Sequence, residues 1–367
     1  MISHSKSHVF GVHLTGGSTL VEIEYHTRRI NCPDHGVLVA DVPWAYPNSG
    51  FTRSFDLTTA WLAMYLPRSV VSEYMRIDWE TVGNCIHRAT NDIEPDRRRR
   101  LDGLVNIGID ETSYKKGHKY ITVIVNHDTN TVVWAAQGHG KGVLKQFYET
   151  LTPEQLSGIK VVTGDGARWI TECVNEYTPD CERCVDPFHV VQWAMDALNE
   201  VRKEAARLSA ARKKAEEIKN SSYALDKAPE NLTKNQALKV ELIAAENKQL
   251  YRAYLLKEKL RLLLKIKNVD EAEAELKHWL WQASHSRIPA ICDLCRKIRR
   301  HKEHIMNTIR LSMSNARIEA TNNKIKLIIR KAYGFRNITN MLDMVYLVCS
   351  NLRIPLPNRK ATVAKST

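Results

Sequence analysis

Leu104-Val-Asn-Ile-Gly-Ile109 is a short apolar run, and it predicts a β-strand that ends at Asp110. The segments after it decide the fold. Lys119–Asn126 and Thr131–Gln137 read as a hairpin pair joined by His127-Asp-Thr-Asn130. Gly140–Leu151 reads as a helix closed by Pro153, and Ile159-Lys-Val-Val-Thr163 as a strand that stops just before Asp165. Ala167–Tyr177 is helical in pattern and Arg183-Cys-Val-Asp186 is a short strand. Three sequential strands followed by alternating helices and strands predict an α/β fold, a mixed five-stranded sheet with helices on its faces. Asp110 and Asp165 each follow a strand. If those strands are neighbours, both carboxylates emerge at the edge where such sheets place their chemistry.

Working outward, residues 1–56 are mixed, with a strand-like run at Thr19–Tyr25 and a turn at Cys32-Pro-Asp-His-Gly36. Residues 57–95 carry the rhythm of a helix-turn-helix: Leu57–Leu66 stopped by Pro67, a short helix at Val70–Met75, then Asp78 as N-cap of a helix through Ala89. Residues 96–103 form a basic linker around Asp96-Arg-Arg-Arg-Arg100. As a tether, Arg97, Arg98, Arg99 and Arg100 would contact phosphates; as a solvated run they would simply be exposed. The sheet occupies 104–196. Residues 197–310 read as an all-helical insertion, broken near Pro229 and Asn231 and containing a long helix at Leu238–Ile266. Residues 311–353 hold two further helices separated by Gly334-Phe-Arg-Asn337, and 354–367 form a polar tail.

The 367 residues carry a formal net charge of +13, which suits a polyanionic partner, nucleic acid first. Hydrophobic residues at 43% allow a sizeable core. No run of 18 apolar residues marks a membrane span, and the N-terminus lacks the apolar segment of a signal peptide. Eight scattered cysteines without a secretory signal fit reduced thiols in the cytoplasm. Cys181-x-x-Cys184 and Cys292-x-x-Cys295 are too far apart in the chain to read as one zinc site, and buried thiols are expected there.

A third acidic candidate lies in Ser314-Asn-Ala-Arg-Ile-Glu-Ala-Thr-Asn-Asn-Lys-Ile-Lys-Leu-Ile-Ile-Arg330. On a helix, Ile318, Ile325, Ile329 and Ala332 make an apolar stripe, with Glu319, Asn322 or Asn323, Lys326 and Arg330 beside it. Spacing alone fits an exposed face with an i,i+4 ion pair better than a metal site. Asp186 and His189, in Asp186-Pro-Phe-His189, form the other polar group near the sheet edge; His189 could orient a ligand or touch a phosphate.

Four ordered motifs carry a resemblance: Ile107–Thr122, Gly164-Asp-Gly-Ala-Arg-Trp169, Val185-Asp-Pro-Phe-His-Val-Val191, and Ser314–Lys326 with Ala332-Tyr-Gly-Phe-Arg-Asn337. Together they resemble the bacterial insertion-sequence transposases of the ISL-three group, over about 30 to 355. The resemblance implies an RNase-H-like core with a helical insertion before the last acid. It maps the catalytic, metal-binding triad onto Asp110, Asp165 and Glu319, with two Mg²⁺ ions (or Mn²⁺). It implies DNA as partner, both terminal inverted repeats and target, a dimer or larger oligomer on DNA, and a cytoplasmic, nucleoid-associated bacterial protein. It places Lys326 and Arg330 close to phosphates and Asn322, Asn323, Asp186 and His189 around the triad. It also implies an N-terminal zinc ribbon. This chain departs there, since only Cys32 and His35 match half of one, and a structural zinc site needs four ligands. A nuclease or resolvase without strand transfer, and a non-catalytic DNA-binding derivative, remain alternatives.

Overall fold

The computed structural model describes residues 8–15, 19–25, 29–39, 41–47, 49–313 and 316–356. Two antiparallel strand pairs come first: β1 (His8–Thr15) with β2 (Thr19–Tyr25), and β3 (Arg29–Cys32) with β4 (Gly36–Val39). Three helices follow, α1 (Arg53–Tyr65), α2 (Arg68–Met75) and α3 (Trp79–Ile93). Their ends are written in the sequence. Thr52 accepts the Phe55 N–H, and Asp78 accepts those of Glu80 and Thr81, satisfying donors that a helix start leaves open. Pro67 stops α1 and Arg76, in the left-handed region, ends α2.

The central sheet contains β5 (Asn106–Lys115), β6 (Lys119–Asn126), β7 (Thr131–Gln137), β8 (Val161–Gly164) and β9 (Glu182–Val185), in the order β7-β6-β5-β8-β9. The first three are antiparallel; β8 and β9 join in parallel. This mixed order is that of an RNase-H-like α/β fold. The expected strand ending at Asp110 is corrected. β5 runs on to Lys115, because Asp110–Ser113 keep pairing with Tyr120–Val123 of β6 before the turn at Gly117 and His118, both at positive φ.

Alternation along β5 sends Ile107 and Ile109 to one face of the sheet. There they meet α4 (Lys141–Glu149), α6 (Arg168–Tyr177) and the 3₁₀ turn Arg97–Leu101, through Leu144, Phe147, Ile170 and Leu101. A short helix that periodicity does not signal, α5 (Pro153–Gly158), precedes β8 with a capping box at Thr152 and Gln155. On the other face Ile121, Val123 and Val125 share a core with α1, α2 and α3 and with the last two helices, α15 (Ala316–Lys331) and α16 (Ile338–Cys349). The helix-turn-helix unit is therefore built into the sheet's own core.

Between β9 and α15 the chain makes a separate helical core from α7 (Pro187–Leu208), α8 (Arg212–Lys219), α9 (Ser222–Leu225), α10 (Lys234–Glu246), α11 (Lys248–Leu263), α12 (Val269–Ser284), α13 (Pro289–Arg300) and α14 (Lys302–Arg310). The single helix expected over Leu238–Ile266 is two. Asn247 leaves helical geometry (φ −136°, ψ 85°), donates its N–H to Ile243 and accepts that of Leu250, ending one helix and capping the next. Ser314, Asn315 and the tail from residue 357 lie outside the described residues.

Candidate active site

Gly108, Asp110 and Thr112 point to the sheet face that α15 crosses. A Cβ on Gly108 would overlap the Ile318 side chain, so glycine is what lets α15 lie directly on β5. One turn further on, Asn322 uses both ends of its amide: its nitrogen donates to Asp110 Oδ2, and its oxygen accepts from Thr112 Oγ1 at 2.7 Å. Asp110 Oδ1 accepts the Glu111 N–H at 2.7 Å. Glu111 itself turns to the opposite face, where its carboxylate accepts the N–H of Gly140 at the start of α4.

β8 lies beside β5 in parallel, with Gly108 opposite Thr163, so Asp110 and the residue just past β8, Asp165, leave the sheet at one edge. The turn that carries Asp165 is tightly fitted. Its carboxylate accepts the Ala167 N–H at 2.8 Å. A Cβ on Gly166 would overlap the Trp193 ring, and one on Gly164 would crowd the Ile109 carbonyl. Beneath the turn lies Arg183 on β9, buried, whose guanidinium donates to the backbone carbonyls of Asp165, Val162 and Cys184. Burial lowers its pKa to about 10. Nothing in Glu182-Arg-Cys-Val185 marked this role. A four-residue strand is too short for alternation to separate a buried arginine from an exposed one.

Asp110 is partly buried, and desolvation holds its pKa above the ordinary aspartate value; the Asp165 charge pushes the same way, while the Glu111 N–H, Asn322 and His189 oppose it. His189, one turn into α7, stands 3.9 Å from Asp186, which caps that helix by accepting the Phe188 N–H. Glu319 is exposed in the first turn of α15, three residues before Asn322 and so on the same side of the helix. The structure brings Asp110 and Asp165 to one edge and sets the helix bearing Glu319 across it. It does not draw the three carboxylates within 4.8 Å of one another; among the described residues only Cys32, Asp34 and His35 form so close a group of possible ligands. None of Asp110, Asp165 and Glu319 is in an ion pair among the described residues. Hard carboxylate oxygens, one of them desolvated without a cationic partner, fit a divalent ion.

The four arginines divide. Arg97 donates to Asp343 and Asn91, and Arg100 pairs with Glu94; both lie over the Tyr346 ring. The basic linker is thus an ordered 3₁₀ turn with two arginines committed to α3 and α16, and only Arg98 and Arg99 are exposed. Lys326, Arg330 and Asn323 are exposed on α15. Cys32 Sγ lies 3.4 Å from His35 Nδ1 across the β3–β4 turn. The eight cysteines are free thiols, and Cys184 and Cys295 are buried in their own elements. Among the described residues, no helix is long and apolar enough to cross a membrane.

An RNase-H-like sheet with carboxylates at the edge of its parallel strands, joined to a helix-turn-helix, defines a DNA-processing enzyme of the DDE class. Two family models match: one described as "Transposase" of the ISL3 DDE type over residues 107–345, and the helix-turn-helix domain of transposase family ISL3 over residues 40–90. The chain is 40% identical to the transposase for insertion sequence element IS1557 of two Mycobacterium tuberculosis strains, covering 94% of this chain and 82% of each relative. It is 28% identical to the transposase for insertion sequence element IS1001 of Bordetella parapertussis, over 73% of this chain and 66% of that protein. The chain belongs to the ISL3 family of insertion-sequence transposases. As such it binds DNA, and its DDE domain works with divalent metal ions.

Proposed function

We propose that this transposase cuts DNA at the ends of an insertion sequence and joins the freed ends to target DNA, with Asp110, Asp165 and Glu319 as its metal-holding carboxylates. The observation that carries this reading is the shared edge of Asp110 and Asp165 on adjacent parallel strands, with no cation paired to either among the described residues. Asp110 and Asp165 would hold two Mg²⁺ ions (or Mn²⁺), and Glu319 would complete the set when α15 settles on the edge. Bound there, such ions supply charge stabilisation for an in-line displacement at phosphorus. The chain's own groups do the rest. Asn322 fixes the Asp110 carboxylate in one orientation, and Arg183 fixes the carbonyl of Asp165. Lys326 and Arg330, exposed on the same helix as Glu319, neutralise phosphates on either side of the reacting one. His189, one turn into α7 and 3.9 Å from Asp186, orients the edge or meets a phosphate. Water attacks the phosphodiester first; the released 3′-hydroxyl then attacks the target strand. The helix-turn-helix, with exposed Arg98 and Arg99, holds the terminal inverted repeats. To bring two ends together, the chain acts as a dimer or larger oligomer on DNA.

A strand-transfer assay tests this, using oligonucleotide duplexes that carry the element's end, target plasmid and Mg²⁺. Cleaved and joined products are expected, both lost in Asp165→Asn. Cleavage without joining would reduce the enzyme to a nuclease, and binding without cleavage would reduce it to a DNA-binding derivative.

A further inference from the structure

At the end of α13 the helical insertion meets the turn that carries Asp165. His301 caps that helix, and its Nε2 would lie 3.5 Å from a Cβ on Gly166, next to Asp165. The Trp193 ring covers the same glycine, and Lys297 Nζ lies 4.0 Å from the centre of that ring. The tryptophan thus bridges Lys297 to the turn that carries Asp165. Partial burial holds the Lys297 ammonium below the ordinary lysine range, and the charges of Asp196 and Asp165 act against it. Arg300 follows one turn later on the same side of the helix, exposed to solvent. The apolar stripe Ile291, Leu294, Cys295 and Ile298 faces the insertion core and fixes which side the cations present.

The neighbouring charges are spoken for. Arg296 pairs with Asp293 and Lys302 with Glu273. Among the described residues Lys297 and Arg300 have no ion-pair partner. Cations in a last turn also complement the helix dipole. That accounts for Arg299, which sits on the far side; it does not account for a lysine laid across a tryptophan at the corner of the acidic turn. Of the three acids lining this groove, Asp293 is held by Arg296, while Asp196 and Glu200 lie one and two turns along α7 from Trp193, away from the edge. They would repel a phosphate chain from the groove's far end and leave the near end for it.

We infer that Lys297 and Arg300 form a phosphate-binding shelf on the helical insertion, which grips the DNA backbone beside the carboxylate edge. The partner is DNA, recognised by charge and not by base sequence. This rests on the reading of Asp110 and Asp165 as the site where DNA is cut.

The test is the salt dependence of binding to a random-sequence 40-base-pair duplex, measured on the full chain in EDTA so that no cutting occurs. Each phosphate that is no longer neutralised lowers the slope of log affinity against log salt by roughly 0.9. Lys297→Gln/Arg300→Gln should therefore flatten the slope by about 2 and weaken binding roughly tenfold or more at low salt. Lys265→Gln/Lys267→Gln, which removes two exposed cations elsewhere on the insertion, should leave the slope within experimental error. Lys297→Arg/Arg300→Lys should restore it. The shelf is overturned if the first pair binds like wild type, or if both pairs weaken binding equally. Should Lys297→Gln disturb the Trp193 corner and unfold the chain, Arg300→Gln alone must flatten the slope by about 1. A wild-type chain that fails to bind the duplex would instead overturn the DNA reading itself.

Discussion

Asp343 ties α16 to the helix-turn-helix, Asp56 ties α1 to α3 within it, and Asp110 lies on the same side of the sheet, yet the molecule treats them in opposite ways. Asp343, on α16, is wholly buried and meets two groups: His87 of α3 at 2.7 Å and Arg97 at 2.9 Å. Asp56, on α1 and equally buried, takes a two-pronged bond from Arg88 at 2.7 and 2.8 Å. Asp110 receives an amide and a backbone N–H, and keeps a raised pKa. Where a buried acid serves the architecture, the chain supplies its counter-charge. At the sheet edge the described residues supply no ion-pair partner, which suits the divalent metal proposed for it.

The comparison can be broken by exchanging the two kinds of acid. Asp110→Asn or Asp165→Asn should lower cleavage by at least about 10³-fold, the order expected for losing a preorganised charge-stabilising group, while the urea midpoint stays close to wild type. Asp343→Ala should do the reverse. Leaving Arg97 and His87, both partly exposed, without their partner should cost about 1–3 kcal/mol in urea unfolding, with cleavage per folded molecule retained. If Asp343→Ala were neutral in stability, or Asp165→Asn strongly destabilising, the division between architectural and functional acids would be wrong. Metal offers a subtler version. Mg²⁺ at a hundred times its dissociation constant should stabilise the wild type by about 2.7 kcal/mol, Asp343→Asn equally, and Asp165→Asn scarcely at all. The smallest effect concerns pH. Asp110 must be ionised to hold a cation, and its raised pKa means that falling pH protonates it sooner than an ordinary aspartate. The acid limb of the cleavage–pH profile should therefore lie above the ordinary aspartate value of 3.8 and move to lower pH as Mg²⁺ is increased.

Much of this contrast was legible in the residues, and the exceptions have physical reasons. The succession of strands and helices followed from apolar runs and turn residues, which are local signals; that β5 and β8 are neighbours did not. Asp110 and Asp165 were visible because each follows an apolar run in the sequence. The fate of Arg97 and Arg100 was not visible. Their neighbours in sequence are other arginines, whereas Asp343 lies 246 residues from Arg97 and touches it only after α16 folds against α3. Asn322 was one of two equivalent asparagines until α15 crossed β5 at Gly108 and chose it. Lys297 and Trp193 looked like ordinary members of amphipathic helices, since their meeting at Gly166 depends on how the insertion is laid against the sheet. Periodicity reports which face of an element is buried. It does not report what lies opposite that face.

The central claim is that Glu319 joins Asp110 and Asp165 around divalent metal, although it is exposed and the three are not gathered within 4.8 Å. Anomalous scattering from crystals of the chain grown with Mn²⁺ and an element-end duplex tests it most directly. The account predicts Mn²⁺ peaks bounded by carboxylate oxygens of Asp110 and Asp165, with Glu319 turned in as a further ligand. Mn²⁺ seated at that edge with Glu319 still facing solvent, or no Mn²⁺ between the two aspartates, would contradict it.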